Sequence, residues 1–546
     1  MSAEARSTRK ESFPVFALRY YSPMLLRRPA LYLLALLAIP LAAQAPAAPR
    51  LGSVVFPTSG TPAAHQAFLL GLRYLHSFQY ESAEQAFRKA EALEPGFAMA
   101  YWGQAMTYNH GVWNEQDPEA ARAALARLAP TPEARRAKAP TLREQRYLSA
   151  VEVLYGSGGK ARRDTLYAAA MERLVRDEPN DLEAKAFYAL ALLGLNQGIR
   201  DTLTYLRAAH YADTVFRASP NHPGAAHYLI HSYDDPLHAS LGLQAARDYS
   251  KIAPDAAHAQ HMTTHIFLAL GLWDDVVSQN RIAVGLTSLL PGHYSSWLVY
   301  GLIQQGRFEE AREKMETMRS DLASGGTRPQ LAALVEMRAH YLLHSEDSSG
   351  GIFGFKVSSE KLTVPGQVAA AYTDGMIAYR NRKGGEVAAA AREVKRLADA
   401  LRIDRGATDP ATTAARVMSR QLDGMSLLLG GPRDSALAAL REAAELEDAM
   451  PMEYGPPAIV EPSHELLGSS LLQSDPAQAR LEFERGLRLA PGRSRALIGL
   501  ARAATAAGDK AAARQAIESL SLNWKAADPK VRDQLARLVA SADRMP

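Results

Sequence analysis

Residues 64–96 read AHQAFLLGLRYLHSFQYESAEQAFRKAEALEPG, and seven of these positions predict two short helices packed against each other. With Ala64 as position 1, Leu70 and Gly71 stand at 7 and 8, Tyr74 at 11, Ala83 at 20, Phe87 at 24, Ala90 at 27 and Pro95 at 32. Small residues at 8 and 20 let the two helix axes approach closely, and the larger ones at 11 and 24 fill the space between them. The proline ends the second helix, because it has no N–H to give and its ring clashes with the preceding turn.

This spacing resembles the tetratricopeptide repeat, and the register recurs along the chain. Pro179 closes a unit that begins near Leu148. Pro254 closes one that begins at Pro223, and the next begins at Ala257. Gly375 and Gly424 stand at position 8 of two more, the second continuing through Leu427, Ala436, Leu440 and Ala443. Pro491 closes a unit carrying Ala479 and Phe483, and Leu497–Leu520 reads as a capping unit. The expected fold is all-α, an α-solenoid of about ten such helix pairs forming a superhelix with a concave groove. Two stretches break the rhythm: a Pro/Ala/Arg segment at 130–140 and a Gly/Ser-rich segment at 345–365. The expected divisions are 1–45, 46–130, 131–344, a loop at 345–366, and 367–546.

The chain has 546 residues, too many for one compact core. Its 62 basic and 58 acidic side chains nearly balance, which gives no reason to expect a nucleic-acid partner. Cysteine is absent. That excludes disulfides, thiolate metal sites, a Cys nucleophile and a lipid-modified Cys. Arg27 and Arg28 precede an apolar run from Ala30 to Ala43, and Ala43-Gln44-Ala45 is a small-x-small signature. The pattern predicts a signal peptide cleaved after Ala45 and an exported protein, periplasmic or secreted, with an uncleaved anchor as the alternative. Met24 lies where such a signal would begin, making 1–23 an upstream extension. Nothing after the cleavage point is long and apolar enough to span a membrane.

Seven of the 15 histidines lie between His222 and His265, where an even spread would put about one. His227 and His231 are four apart, so they share one face of a helix. His261 and His265 repeat that pair 34 residues later. Both pairs therefore occupy positions 5 and 9 of adjacent units, which face the groove in repeats of this kind, and His258 joins the stripe. Imidazoles at i and i+4 on neighbouring helices are suited to hold a transition metal such as Zn, Cu, Fe or Ni, with Asp234 and Asp235 available as ligands, orienting groups or base. The residues leave two other readings open: a satisfied polar ladder, and contacts to an organic ligand. His222 and His238 read as cap or turn residues, and His65, His76, His210, His293, His340 and His344 as ordinary. His464 also falls at position 5 of its unit. Trp102 and Met106, at positions 5 and 9 of the second unit, and Trp297 are expected to line the groove for a peptide, partner protein or small ligand, with core packing as the alternative. There is no phosphate-binding Gly loop, dinucleotide fingerprint, G-x-S-x-G or H-E-x-x-H motif.

Three stretches together resemble a family of secreted bacterial tetratricopeptide proteins: LHSFQYESAEQAFRKA with AMAYWGQAM, HPGAAHYLIH with AAHAQHMTTHIF, and YGPP followed by PSHELLG. The resemblance implies architecture and export, and no reaction. The function expected is a binding scaffold with a histidine-built metal site, or a metalloenzyme using His227, His231, His261 and His265, or an interaction array.

Overall fold

The computed structural model describes residues 48–544 except 197–199, 288–289, 346, 348–349 and 453. The signal-peptide expectation lies outside them. The described residues from 49 onward form one compact unit. Helix hairpins begin at Pro62, Ala98, Leu142, Leu182, Pro223, Ala257, Gly292, Val364, Pro410, Ser463 and Ser494. Each packs on the next, except that Arg328–His344 is interposed between the Gly292 and Val364 hairpins, which makes the unit a tetratricopeptide-type α-solenoid. Among the described residues three helices longer than one turn, Arg328–His344, Pro529–Asp543 and the short Pro132–Ala137, stand outside these hairpins. Between the first of these and Val364–Arg380 lie a helical turn, Gly351–Gly354, and a 3-10 turn, Ser359–Lys361. Among the described residues no helix is long and apolar enough to cross a membrane.

The repeat positions do what their sizes require. A Cβ on Gly71 would sit 2.6 Å from the Phe87 ring, so the close approach of the two helices needs glycine there. Burying Phe87 contributes about 1.5–3 kcal/mol. The turn inside each hairpin often uses a left-handed residue, supplied by glycine at Gly271, Gly306 and Gly508. The first hairpin has Phe78 instead, at φ 51°. A side chain there costs roughly 1–2 kcal/mol.

Two contacts place the chain's ends against its middle. The extended segment 51–56 runs over the early hairpins, with Ser53 N–H donating to Asn221 O at 2.9 Å and Leu51 and Phe56 fully buried. At the other end the turn at 490–494 packs against the 257–304 hairpins. Trp273 Nε1 donates to Gly492 O at 2.8 Å, Ser494 Oγ donates to Gln304 O at 2.6 Å, and buried Arg493 reaches Tyr300, His344 and Glu465.

Candidate metal centre

Three successive first helices build the site: Pro223–Tyr233, Ala257–Ala269 and Gly292–Gln304. The first starts at Pro223, whose fixed φ and missing N–H suit that position. His222 caps it, its Nδ1 accepting from Ala225 N–H at 3.0 Å. A Cβ on Gly224 would meet the His76 ring at 2.3 Å, so glycine lets this helix close on the first hairpin. His227 and His231 are then carried on one face, with His258, His261 and His265 facing them from the next helix. All five are buried, His227 completely and His258 to 7% exposure.

The four residues paired by the sequence register do not form one set. Among the described residues the imidazoles form two groups of three, each with ring nitrogens within 4.8 Å of one another, His227, His231 and His258, and His261, His265 and His293, while His231 and His265 also share a set with Asp234. In the first group every Nε2 is buried without a hydrogen-bond partner. The opposite nitrogens face outward to support. His227 Nδ1 donates to His76 O at 2.7 Å, which fixes its proton there and leaves Nε2 a bare acceptor. His231 Nδ1 lies 3.6 Å from Asp234 Oδ2, and His258 Nδ1 lies 3.5 Å from the Tyr294 hydroxyl. Burial, reinforced by the neighbouring imidazoles, holds His227 and His258 well below the usual histidine range, so they are neutral, the form that binds metal. Phe78 packs its ring 4.2 Å from His227, 5.6 Å from His258 and 5.8 Å from His231. The strained residue of the first turn thus seals this group.

Asp234 and Asp235 separate in role. Asp234 Oδ2 accepts from His265 Nδ1 at 3.1 Å and faces His231, while Oδ1 accepts from Arg200 at 2.6 Å. Burial opposes its ionisation, but hydrogen bonds from His231 and His265 and the charge of Arg200 overcome that and hold its pKa below the carboxylate range. Asp235 instead binds His238 Nδ1 at 2.9 Å, Arg200, and the N–H groups of Leu237 and His238. It shapes the turn after the helix and does not face the imidazoles.

A third group, His76, Glu183 and His222, is built differently. Glu183 accepts from His76 Nε2 at 2.9 Å and from His222 Nε2 at 3.0 Å. His76 Nδ1 accepts from the Tyr228 hydroxyl at 2.8 Å, and His222 Nδ1 is the helix cap. Every ring nitrogen here has a partner. His76, read as ordinary, is thus a buried structural group, and His222 adds to its cap a hydrogen bond to Glu183. His464 pairs with Glu482 at 2.7 Å and Asp448 at 2.9 Å, apart from the two imidazole groups.

Trp102 and Met106 are not groove residues. Trp102 is 1% exposed, with its ring 5.2 Å from Phe187, 5.4 Å from Tyr147 and 5.7 Å from Phe56. Phe56 belongs to the extended N-terminal segment, so the chain itself covers the surface where position 5 would meet a ligand. Met106, also buried, lies 3.9 Å from the Tyr167 hydroxyl. Trp297 does join the imidazoles, stacked on His265 at 4.4 Å. Gly455 approaches its ring so closely that a Cβ there would lie 2.6 Å away, and Tyr454 lies 4.9 Å from His265. Phe78, His293, Tyr294, Asn280 and Tyr454 were not singled out from sequence. Of these, Phe78 and Tyr454 carried a signal, in the LHSFQY and YGPP stretches.

No family model and no curated protein matches the chain. Among solved structures it is similar to the human IFIT1 dimer with m7Gppp-AAAA, at 13% identity over 89% of this chain and 92% of that one, with a TM-score of 0.33. It is likewise similar to the human IFIT1 dimer with PPP-AAAA, at 13% identity over 84% of this chain and 90% of that one, with a TM-score of 0.36. The APC/C hetero-tetramer Cut9–Hcn1 gives 13% identity over 88% of this chain and 97% of that one, with a TM-score of 0.28. At these TM-scores the likeness carries nothing about ligand or partner.

Proposed function

We propose that the protein is an exported tetratricopeptide scaffold that holds a transition metal on His227, His231 and His258. The observation that carries this is the set of three buried Nε2 atoms without partners, on rings whose nitrogens converge within 4.8 Å. An unmet buried acceptor costs about 1–3 kcal/mol, and three together are relieved by one cation. His227 Nδ1 bonds outward to His76 O, and the Nδ1 atoms of His231 and His258 face Asp234 and Tyr294, the outward placement that metal-binding imidazoles use. An all-imidazole set suits Zn, Cu, Fe or Ni and not Ca or Mg.

Three ligands leave a tetrahedral ion one position for water or a ligand group, which favours a working centre over a purely structural one. A peptide, partner protein or small molecule would approach past Trp113 and Tyr454, both about two-fifths exposed at the rim. Export rests on the Arg27/Arg28 and 30–43 pattern. Hydrolytic or redox chemistry at the open position is the second reading, and the same three-ligand geometry is what favours it.

The test is elemental analysis of the untagged full chain beside His227→Ala and His258→Ala. The parent is expected to bind a transition metal that each variant loses by one equivalent with its helicity intact. Absence of metal in the parent, even after loading with Zn, Cu, Fe and Ni in turn, overturns the proposal and leaves the histidines a polar ladder.

A further inference from the structure

We infer that His261, His265 and His293 hold a second transition-metal ion beside the first. The inference rests on reading the imidazole cluster as metal-binding, but it is carried by different atoms. The proton positions decide it. Asn280 Nδ2 donates to Val276 O at 3.0 Å and to Thr264 Oγ1 at 3.2 Å, and a carbonyl can only accept. Asn280 Oδ1 is therefore the atom 2.8 Å from His261 Nδ1, so His261 carries its proton on Nδ1. His265 Nδ1 faces Asp234 Oδ2 at 3.1 Å, and an ionised carboxylate only accepts, so His265 also carries its proton on Nδ1.

Both Nε2 atoms are then bare, yet they face each other at 3.3 Å. Two lone pairs at that distance repel unless something positive lies between them. Two nitrogens bound to one tetrahedral ion at ~2.0–2.1 Å stand about 3.3 Å apart. The separation is that of two ligands on one ion. His293 completes a set of three, its ring 4.5 Å from His261 and its nitrogen within reach of both.

His293 is also exposed, so this group opens to solvent and gives an ion a way in. Asp234 links the groups, bonding to His265 of this one and facing His231 of the other. One carboxylate thereby orients an imidazole in each set. The ligand class is a borderline transition ion such as Zn²⁺ or Cu²⁺, bound by three neutral imidazoles with a position left open. The competing arrangement is an imidazolium at His265 that donates a proton to His261.

The experiment is equilibrium dialysis of the untagged full chain against buffered Zn²⁺, then Zn analysis and circular dichroism. Variants are His293→Ala, His258→Ala and the two combined. His293 is exposed, so its variant tests the site without opening the core. Two equivalents in the parent, one in each single variant and none in the double support the inference. One equivalent that survives His293→Ala and disappears in His258→Ala overturns the second ion and leaves the first. One equivalent with the reverse pattern supports this site and overturns the first. No bound Zn in the parent overturns both.

Discussion

Two histidine groups meet on one helix and have opposite chemistry. At its start, His222 joins His76 around Glu183, and every nitrogen of the two rings has a partner. One turn further on, His227 and His231 join His258, and all three Nε2 atoms have none. Burial does not separate the groups, since both are buried. What differs is the set of acceptors. Glu183 stands between its imidazoles and accepts a hydrogen bond from each. The second group shares no acceptor: His227 donates outward to His76 O, while His231 and His258 face Asp234 and Tyr294. The first arrangement leaves no ring nitrogen unmet, and the second leaves three that the proposed cation would meet.

The comparison breaks most visibly at Glu183. Glu183→Ala removes the acceptor of two buried N–H groups and is expected to cost about 1–3 kcal/mol for each in denaturant unfolding, because both are left without a partner. Metal content is expected to stay at the parental value wherever the variant is folded. Loss of metal with the fold intact would show that the two groups are one site. A smaller effect is expected at Asp234. Asp234→Asn keeps the shape but weakens the bonds that orient His231 and His265, and metal affinity is expected to fall about 10–100-fold in a competition assay with a chromophoric chelator. An unchanged affinity would make Asp234 only a partner for Arg200.

The smallest effect belongs to His464, a third kind of group, where an imidazole lies between two carboxylates. Burial lowers its pKa, and its hydrogen bonds to Glu482 and Asp448 raise it further than burial lowers it, so the net shift is upward. Glu447 lies nearby, and Arg485 pairs with the far oxygen of Glu482. A raised folded-state pKa means stability fully present below the unfolded value of 6.5 and lost as pH rises through the folded one. The parent is thus expected to exceed His464→Gln in stability at pH 6 by more than at pH 9, measured by urea unfolding at both. Equal differences would remove charge from the account of this group.

Much of this could be read from residue order. Gly71 against Phe87 is a steric rule expressed within one repeat. The 34-residue step from His227 to His261 is a register rule between two repeats. Both are local, so spacing alone reveals them. Trp102 shows where such reasoning stops. Its position in the repeat led to the expectation that it lines the groove, but its ring is buried against Phe56 of the segment 51–56, and a repeat pattern cannot say what lies on its own surface. His293 was passed over for a related reason, since it stands one repeat beyond the paired histidines and off their register.

The sequence by itself determined the helices, their pairing, and which histidines would share a face, because these follow from residue size and helical period. Only the tertiary structure decided which nitrogens are satisfied. His227 gives its proton to a carbonyl 151 residues away, His258 faces a tyrosine 36 residues on, and His265 is held by an aspartate 31 residues back. An imidazole has two nitrogens and, when neutral, one proton. Which nitrogen is left bare depends on what the other one meets, and that is settled by packing between distant repeats.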